Sequence, residues 1–127
     1  MAKPNMRRPV FFNLLQIQLP VGALTSIVHR ITGMLLMLGI VFGVYLLDVS
    51  LQGPLGYAQV IAMLGTVPVK GVLVVLAWAL AHHQLAGIRH LLSDVDIGSH
   101  LPTARRSAWA VNVGGVVVAL LVTGLLL

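Results

Sequence analysis

The sequence predicts an all-α membrane protein of three transmembrane helices, with a cytoplasmic N-terminus and the C-terminus on the outer side. Three observations carry this expectation. Hydrophobic residues make up 58% of the 127-residue chain and charged residues only 9%, whereas a soluble domain is about a quarter charged. The apolar residues gather into three stretches, each near the roughly 20 residues that cross a bilayer. The Lys and Arg residues collect at one side of those stretches, as the positive-inside rule requires of cytoplasmic loops.

The elements follow in order. Residues 1–20 form a cytoplasmic N-terminal arm, and Pro20 stands just before the first helix. The first span covers about 23–47, and residues 31–47 carry no charge. Gln52-Gly53-Pro54 then reads as a turn. The second span covers about 67–92, interrupted by Lys70, the histidines and Arg89. The stretch Gly98-Ser99-His100-Leu101-Pro102 reads as a second turn, and the third span covers about 107–127. Residues 1–127 thus form a single membrane-anchor domain. The basic start, residues 1–8, leads into Pro9 and a mixed stretch instead of a short apolar core and a small-residue cleavage site. No removable signal peptide is expected. Gly39 and Gly43 in the first span, and Gly114-Gly115 in the third, mark places where helix backbones can approach closely.

The charge distribution sets orientation and narrows the function. Lys3, Arg7, Arg8 and Arg30 lie on the N-terminal side, and Arg89, Arg105 and Arg106 lie around the second connection. The first connection has only Lys70 near it. The net charge of +5 is therefore topological, and no soluble basic face exists to bind nucleic acid. Cysteine is absent, so there is no disulfide framework and no thiolate metal site. No nucleophile elbow, phosphate loop or carboxylate pair is present. The chain carries no catalytic residue of its own. Asp94 and Asp96 read as capping groups or partners of Arg105 and Arg106; Trp78 reads as packing, and Trp109 and Tyr57 as interface anchors.

Two polar clusters interrupt the apolar spans at what should be one membrane depth. Imidazole and guanidinium groups are costly there, about 2.5–3.5 kcal/mol for Arg at a helix centre. The first is Ser26-Ile-Val-His29-Arg30-Ile-Thr-Gly33. At 100° per residue, Ser26, Arg30 and Gly33 share a narrow stripe with His29 on its edge. A hydroxyl and a permanent cation beside a gap suit a ligand with carbonyl oxygens, such as a quinone, because Arg stabilises charge developing on a reduced carbonyl. The same pair also fits an Arg that snorkels to headgroups and a Ser that bonds its own helix.

The second cluster is His83-Gln-Leu-Ala-Gly87-Ile-Arg89-His90. His83 and His90 are seven residues and about 10 Å apart on one helix face. Ala86 and Gly87 leave a flat shelf between them. A porphyrin needs an imidazole for its iron and a small residue where the ring edge passes; His90 or Arg89 could then meet the propionates. A buried hydrogen-bonded histidine or a proton relay fits the same spacing. His82 is turned 100° from His83 and faces another helix, a loop or lipid; His100 is solvated in a connection.

Arg8-Pro9, the Ser26–Gly33 motif, and His83-x-x-x-Gly87-Ile-Arg89-His90 with Asp94 together resemble the cytochrome b556 membrane-anchor subunits of bacterial succinate dehydrogenase. The resemblance covers nearly the whole chain. It implies a multi-pass protein of the bacterial inner membrane and a b-type haem shared with a second membrane-anchor subunit, which supplies the other axial histidine. It implies His83 as the iron ligand, Gly87 as the haem shelf, His29, Arg30 and His90 near the propionates, and Ser26 and Arg30 at the quinone site. A flavoprotein and an iron–sulfur subunit would dock on the cytoplasmic side, oxidise succinate and pass electrons to the quinone. His82 is an extra histidine beside the motif; helix phase and motif spacing both favour His83. The alternatives are the anchor of a related fumarate reductase, and a small proton or ion transporter subunit with a histidine relay. A relay should carry ionisable groups across the whole bilayer, and the outer half of these spans is nearly empty of them.

Overall fold

Prolines and glycines set the helix boundaries. The computed structural model describes residues 18–127; Lys3, Arg7, Arg8, Pro9 and the 11–15 stretch lie outside the described residues. Helix α1 runs Val21–Leu51 from an extended Pro20. Helix α2, Pro54–Leu64, begins after Gly53, whose φ of 117° reverses the chain. Helix α3 runs Val67–Asp94 and helix α4 runs Leu101–Leu126. Each of α2, α3 and α4 has a proline in its first two positions, where a missing N–H leaves no bond unmade.

The described residues are all-α, and α1, α3 and α4 are long and apolar enough to cross a membrane. This chain is a multi-pass membrane protein. Two details differ from the expectation. The connection after Gly53 is itself helical, because Pro54 starts a helix as readily as it ends a turn and residues 55–64 are apolar. Helix α4 begins six residues before the expected 107, because Pro102 sits in its first turn instead of in the preceding loop. At 1.5 Å per residue α1 is about 46 Å long, well over the roughly 30 Å hydrocarbon core, so its ends project past it.

The three long helices form an antiparallel bundle in which α3 packs on both α1 and α4, and α1 also touches α4. Small residues permit this. A Cβ added at Gly39 would lie 2.7 Å from Leu76 Cδ2, and one at Gly114 would lie 2.9 Å from Leu85 Cδ1. Gly115 meets less yielding neighbours: its Cβ would stand 3.2 Å from His82 Cβ and 3.3 Å from Trp78 Nε1. Gly43 meets nothing within 4 Å, so the expected Gly39–Gly43 pair packs within the chain only at Gly39. At the end remote from the arginines, Lys70 Nζ donates to the Leu126 carbonyl at 2.6 Å, satisfying a helix-terminal acceptor.

The chain buries little of its own surface. Ala79, His82 and Ala86 on α3, each at most 1% exposed, form a single fully buried stripe, faced by Thr25 and Thr32 of α1 at 0%. Met37, Ile40 and Val44 stay 72%, 66% and 59% exposed. They continue the face of α1 that carries Ser26 and Arg30, since all five fall within about 40° of one line at 100° per residue.

Gly115→Val is expected to destabilise the folded protein by about 1–3 kcal/mol through overpacking. Gly124→Val, where a Cβ meets nothing within 4 Å, should leave stability unchanged. Denaturant unfolding of the protein in detergent distinguishes them.

Candidate functional site

The two polar clusters meet because α1 and α3 are antiparallel. Residue 29 lies in the third turn of α1, and residues 83–90 lie in the last three turns of α3. The His29 and His83 rings stack with centroids 4.2 Å apart and an interplanar angle of 21°. His90 lies 5.2 Å from His29. A Cβ at Gly87 would stand 3.7 Å from His29 Nε2, so the shelf faces α1 and the His29 ring lies across it. Ala86 falls on the buried stripe with His82, which leaves Gly87 as the shelf.

His83 is oriented by the backbone of α1. Its Nδ1 lies 3.1 Å from the His29 carbonyl and 3.4 Å from Thr32 Oγ1. Thr32 Oγ1 itself donates to the same carbonyl at 2.9 Å. A carbonyl only accepts, so Nδ1 carries the proton and the bare lone pair is on Nε2. Metal-ligating histidines commonly donate one ring N–H to a backbone carbonyl and keep the other nitrogen available. Gly33 makes the contact possible. It follows His29 by four residues, where a side chain would cover the carbonyl, and its Cβ would lie 3.0 Å from His83 Cε1. The gap assigned by sequence to the Ser26–Arg30 stripe is therefore filled by the His83 ring.

Ser26 is half-buried and Arg30 is exposed, one turn apart on the outward face of α1. Among the described residues, neither the hydroxyl nor the guanidinium has a hydrogen-bond partner. Among the described residues, no group of three or more His, Cys, Asp or Glu is arranged around a common metal position.

Arg89 is turned away from this cluster. Its Nε donates to Ser107 Oγ at 3.1 Å and its Nη2 to the Ala104 carbonyl at 3.3 Å. It ties the end of α3 to the start of α4 and does not share the site with His90. The reason is phase: Arg89 follows His82 by seven residues and shares its face. Asp96 takes φ 58° and accepts from Ser99 Oγ, closing the α3–α4 turn locally.

Sequence reading missed a second polar group altogether. His82 Nε2 lies 3.0 Å from Asn112 Oδ1, and Asn112 Nδ2 donates to Thr25 Oγ1 at 3.1 Å. This joins all three long helices. Asn112 is a lone side-chain amide inside an apolar span, and such a group needs an internal partner; that was the available signal.

The chain matches, over residues 4–123, the family model described as succinate dehydrogenase/fumarate reductase transmembrane subunit. It is 37% identical over 118 residues to the succinate dehydrogenase cytochrome b556 subunit of Paracoccus denitrificans, covering 90% of this chain and 88% of that protein. It is 33% identical over 112 residues to the subunit of the same name from Coxiella burnetii, covering 86% and 88%.

Arg89→Leu is expected to destabilise the fold, since hydrogen bonds to charged groups each contribute about 1.5–3 kcal/mol. It should also speed proteolysis between α3 and α4. Thermal unfolding and limited proteolysis in detergent measure the two effects.

Proposed function

The chain belongs to the succinate dehydrogenase/fumarate reductase transmembrane subunit family, and from that premise we propose that it is the haem-binding anchor of a succinate:quinone oxidoreductase. The observation that carries this reading is the bond between His83 Nδ1 and the His29 carbonyl, which leaves Nε2 bare and directed by the fold. The words cytochrome b556 in the names of both relatives support haem b as the group.

The residues fit that group. His83 would supply one axial nitrogen, and Gly87 would admit the ring edge once the His29 ring, which lies across it here, turns toward the propionates. His29 and His90, with Arg30, would meet the propionates. A second anchor subunit would supply the other axial histidine. Haem b, when bound, supplies reversible one-electron exchange. Ser26 would donate its hydroxyl to a quinone carbonyl, and the Arg30 guanidinium would stabilise the negative charge that develops there on reduction. The quinone is substrate and reaches the outward face of α1 from the bilayer. The uncovered apolar residues that continue this face, Met37, Ile40 and Val44, suit a helix of the second anchor.

In this reading the chain acts as part of an oxidoreductase complex and not by itself. Its partners in this reading are a flavoprotein and an iron–sulfur subunit on the cytoplasmic side of the bacterial inner membrane. Arg30, Arg89, Arg105 and Arg106 all lie at the end formed by the start of α1, the end of α3 and the start of α4. The positive-inside rule makes that end cytoplasmic, with residues 1–127 acting as one anchor domain. Fumarate reduction would use the same groups in reverse. A histidine relay finds little support, because the polar groups do not continue outward. Among the described residues the far end offers Asp48 and Lys70, and Lys70 is engaged with the Leu126 carbonyl.

His83→Ala is expected to lose most of the haem from the purified complex, measured by the reduced-minus-oxidised optical spectrum; full retention would overturn the ligand assignment. Arg30→Leu is expected to slow quinone reduction by on the order of 100-fold, the usual cost of losing one donor to a developing oxyanion. Succinate oxidation with an artificial dye should persist; loss of both activities would indicate failed assembly and count against a quinone role.

A further inference from the structure

Two adjacent histidines stand on α3, and either imidazole could bind iron. Their environments separate them. His82 is 1% exposed, in the seam among α1, α3 and α4. Its Nε2 faces Asn112 Oδ1 at 3.0 Å, and its buried Nδ1 has no partner. Thr25 Oγ1 lies within hydrogen-bond distance of both amide atoms of Asn112, 3.3 Å from Oδ1 and 3.1 Å from Nδ2, and one assignment uses every donor group. Thr25 Oγ1 donates to the Val21 carbonyl at 2.9 Å, Asn112 Nδ2 donates to Thr25 Oγ1 at 3.1 Å, and Asn112 Oδ1 accepts from His82 Nε2. The bond to Asn112 is thus the one polar tether of the His82 ring.

Thr25 and His82 each immediately precede a residue of the proposed site, Ser26 and His83. A helix turns about 100° per residue. Securing Thr25 and His82 against Asn112 therefore sets the direction in which Ser26 and His83 leave their helices. Gly115, three residues after Asn112, lets the α4 backbone close on His82 Cβ and keeps the amide within reach.

We infer that Asn112 is a positioning residue that decides between the two histidines: it holds His82 in the three-helix seam and so presents His83 alone to the haem. The inference rests on the haem-anchor reading above. Without the amide, His82 has an unsatisfied donor in an apolar interior, where such groups are driven to find another partner. Beside His82, the rotational phase of α3 is then held by the His83 contact with α1 and, seven residues on, by the bonds from Arg89 to α4.

The test uses the complete complex purified from membranes, read by low-temperature electron paramagnetic resonance of the oxidised haem and by potentiometric titration. The wild type should give a single low-spin signal and one midpoint potential. Asn112→Leu should add a second haem signal and shift or split the midpoint potential. Adding His82→Leu to Asn112→Leu should restore a single signal, because the competing imidazole and the stranded polar group are both gone. Asn112→Ala removes the amide without added bulk and is read in the same way where the leucine variant does not assemble. A haem-loaded Asn112 variant with wild-type signal and potential overturns this inference alone, as does a double variant disturbed as much as the single. A wild-type complex without haem overturns the anchor reading and this inference together.

Discussion

The His29 carbonyl, Thr32 and His83 form a small closed set of polar groups between α1 and α3, and the geometry of the candidate site depends on it. A bilayer offers no water to satisfy an imidazole, so each nitrogen must be accounted for within protein or ligand. The carbonyl accepts from Nδ1, and that one bond fixes tautomer, ring orientation and the position of the free lone pair. Gly33 leaves room for the bond, because a Cβ there would come within 3.0 Å of the His83 ring. The same glycine lies on the Ser26–Arg30 stripe, so the two sets of groups proposed to meet quinone and haem share one structural position.

Helix α3 divides its polar residues between two faces. His83, Gly87 and His90 turn to His29, while His82 and Arg89 turn to α4. The second face is satisfied wholly within the chain, apart from His82 Nδ1. The first face has donors and acceptors left over for something else. This asymmetry separates residues that hold the bundle from residues that serve a ligand, and it follows from contacts on the two sides of one helix.

Much of the fold was legible because the length of an apolar run is set directly by bilayer thickness. The meeting of the two clusters was legible too, since charge asymmetry assigned both to one end of the bundle. Boundaries were less so. Pro102 suits a turn or a first helical turn equally well, and α2 contains nothing that separates an apolar loop from a short helix. Ring orientation was beyond sequence, because it depends on an α1 carbonyl exposed by Gly33. Arg89 could have been placed correctly: its seven-residue spacing from His82 puts it on the α4 side. Asn112 escaped notice because attention followed ionisable residues, although a buried amide is under the same obligation to find partners.

The joint between His82 and Asn112 also bears on how this chain can drift over evolutionary time. In the proposed reading, positions 83, 87 and 90 answer to an outside ligand, so change there is constrained by something the chain does not encode. The polar groups at positions 25, 82 and 112 satisfy one another. A descendant can abandon the imidazole at 82 provided that the residues at 112 and 25 change with it, for example to an apolar trio of equal volume. Lineages should therefore replace these three positions as a set, while the neighbouring ligand-facing positions stay still.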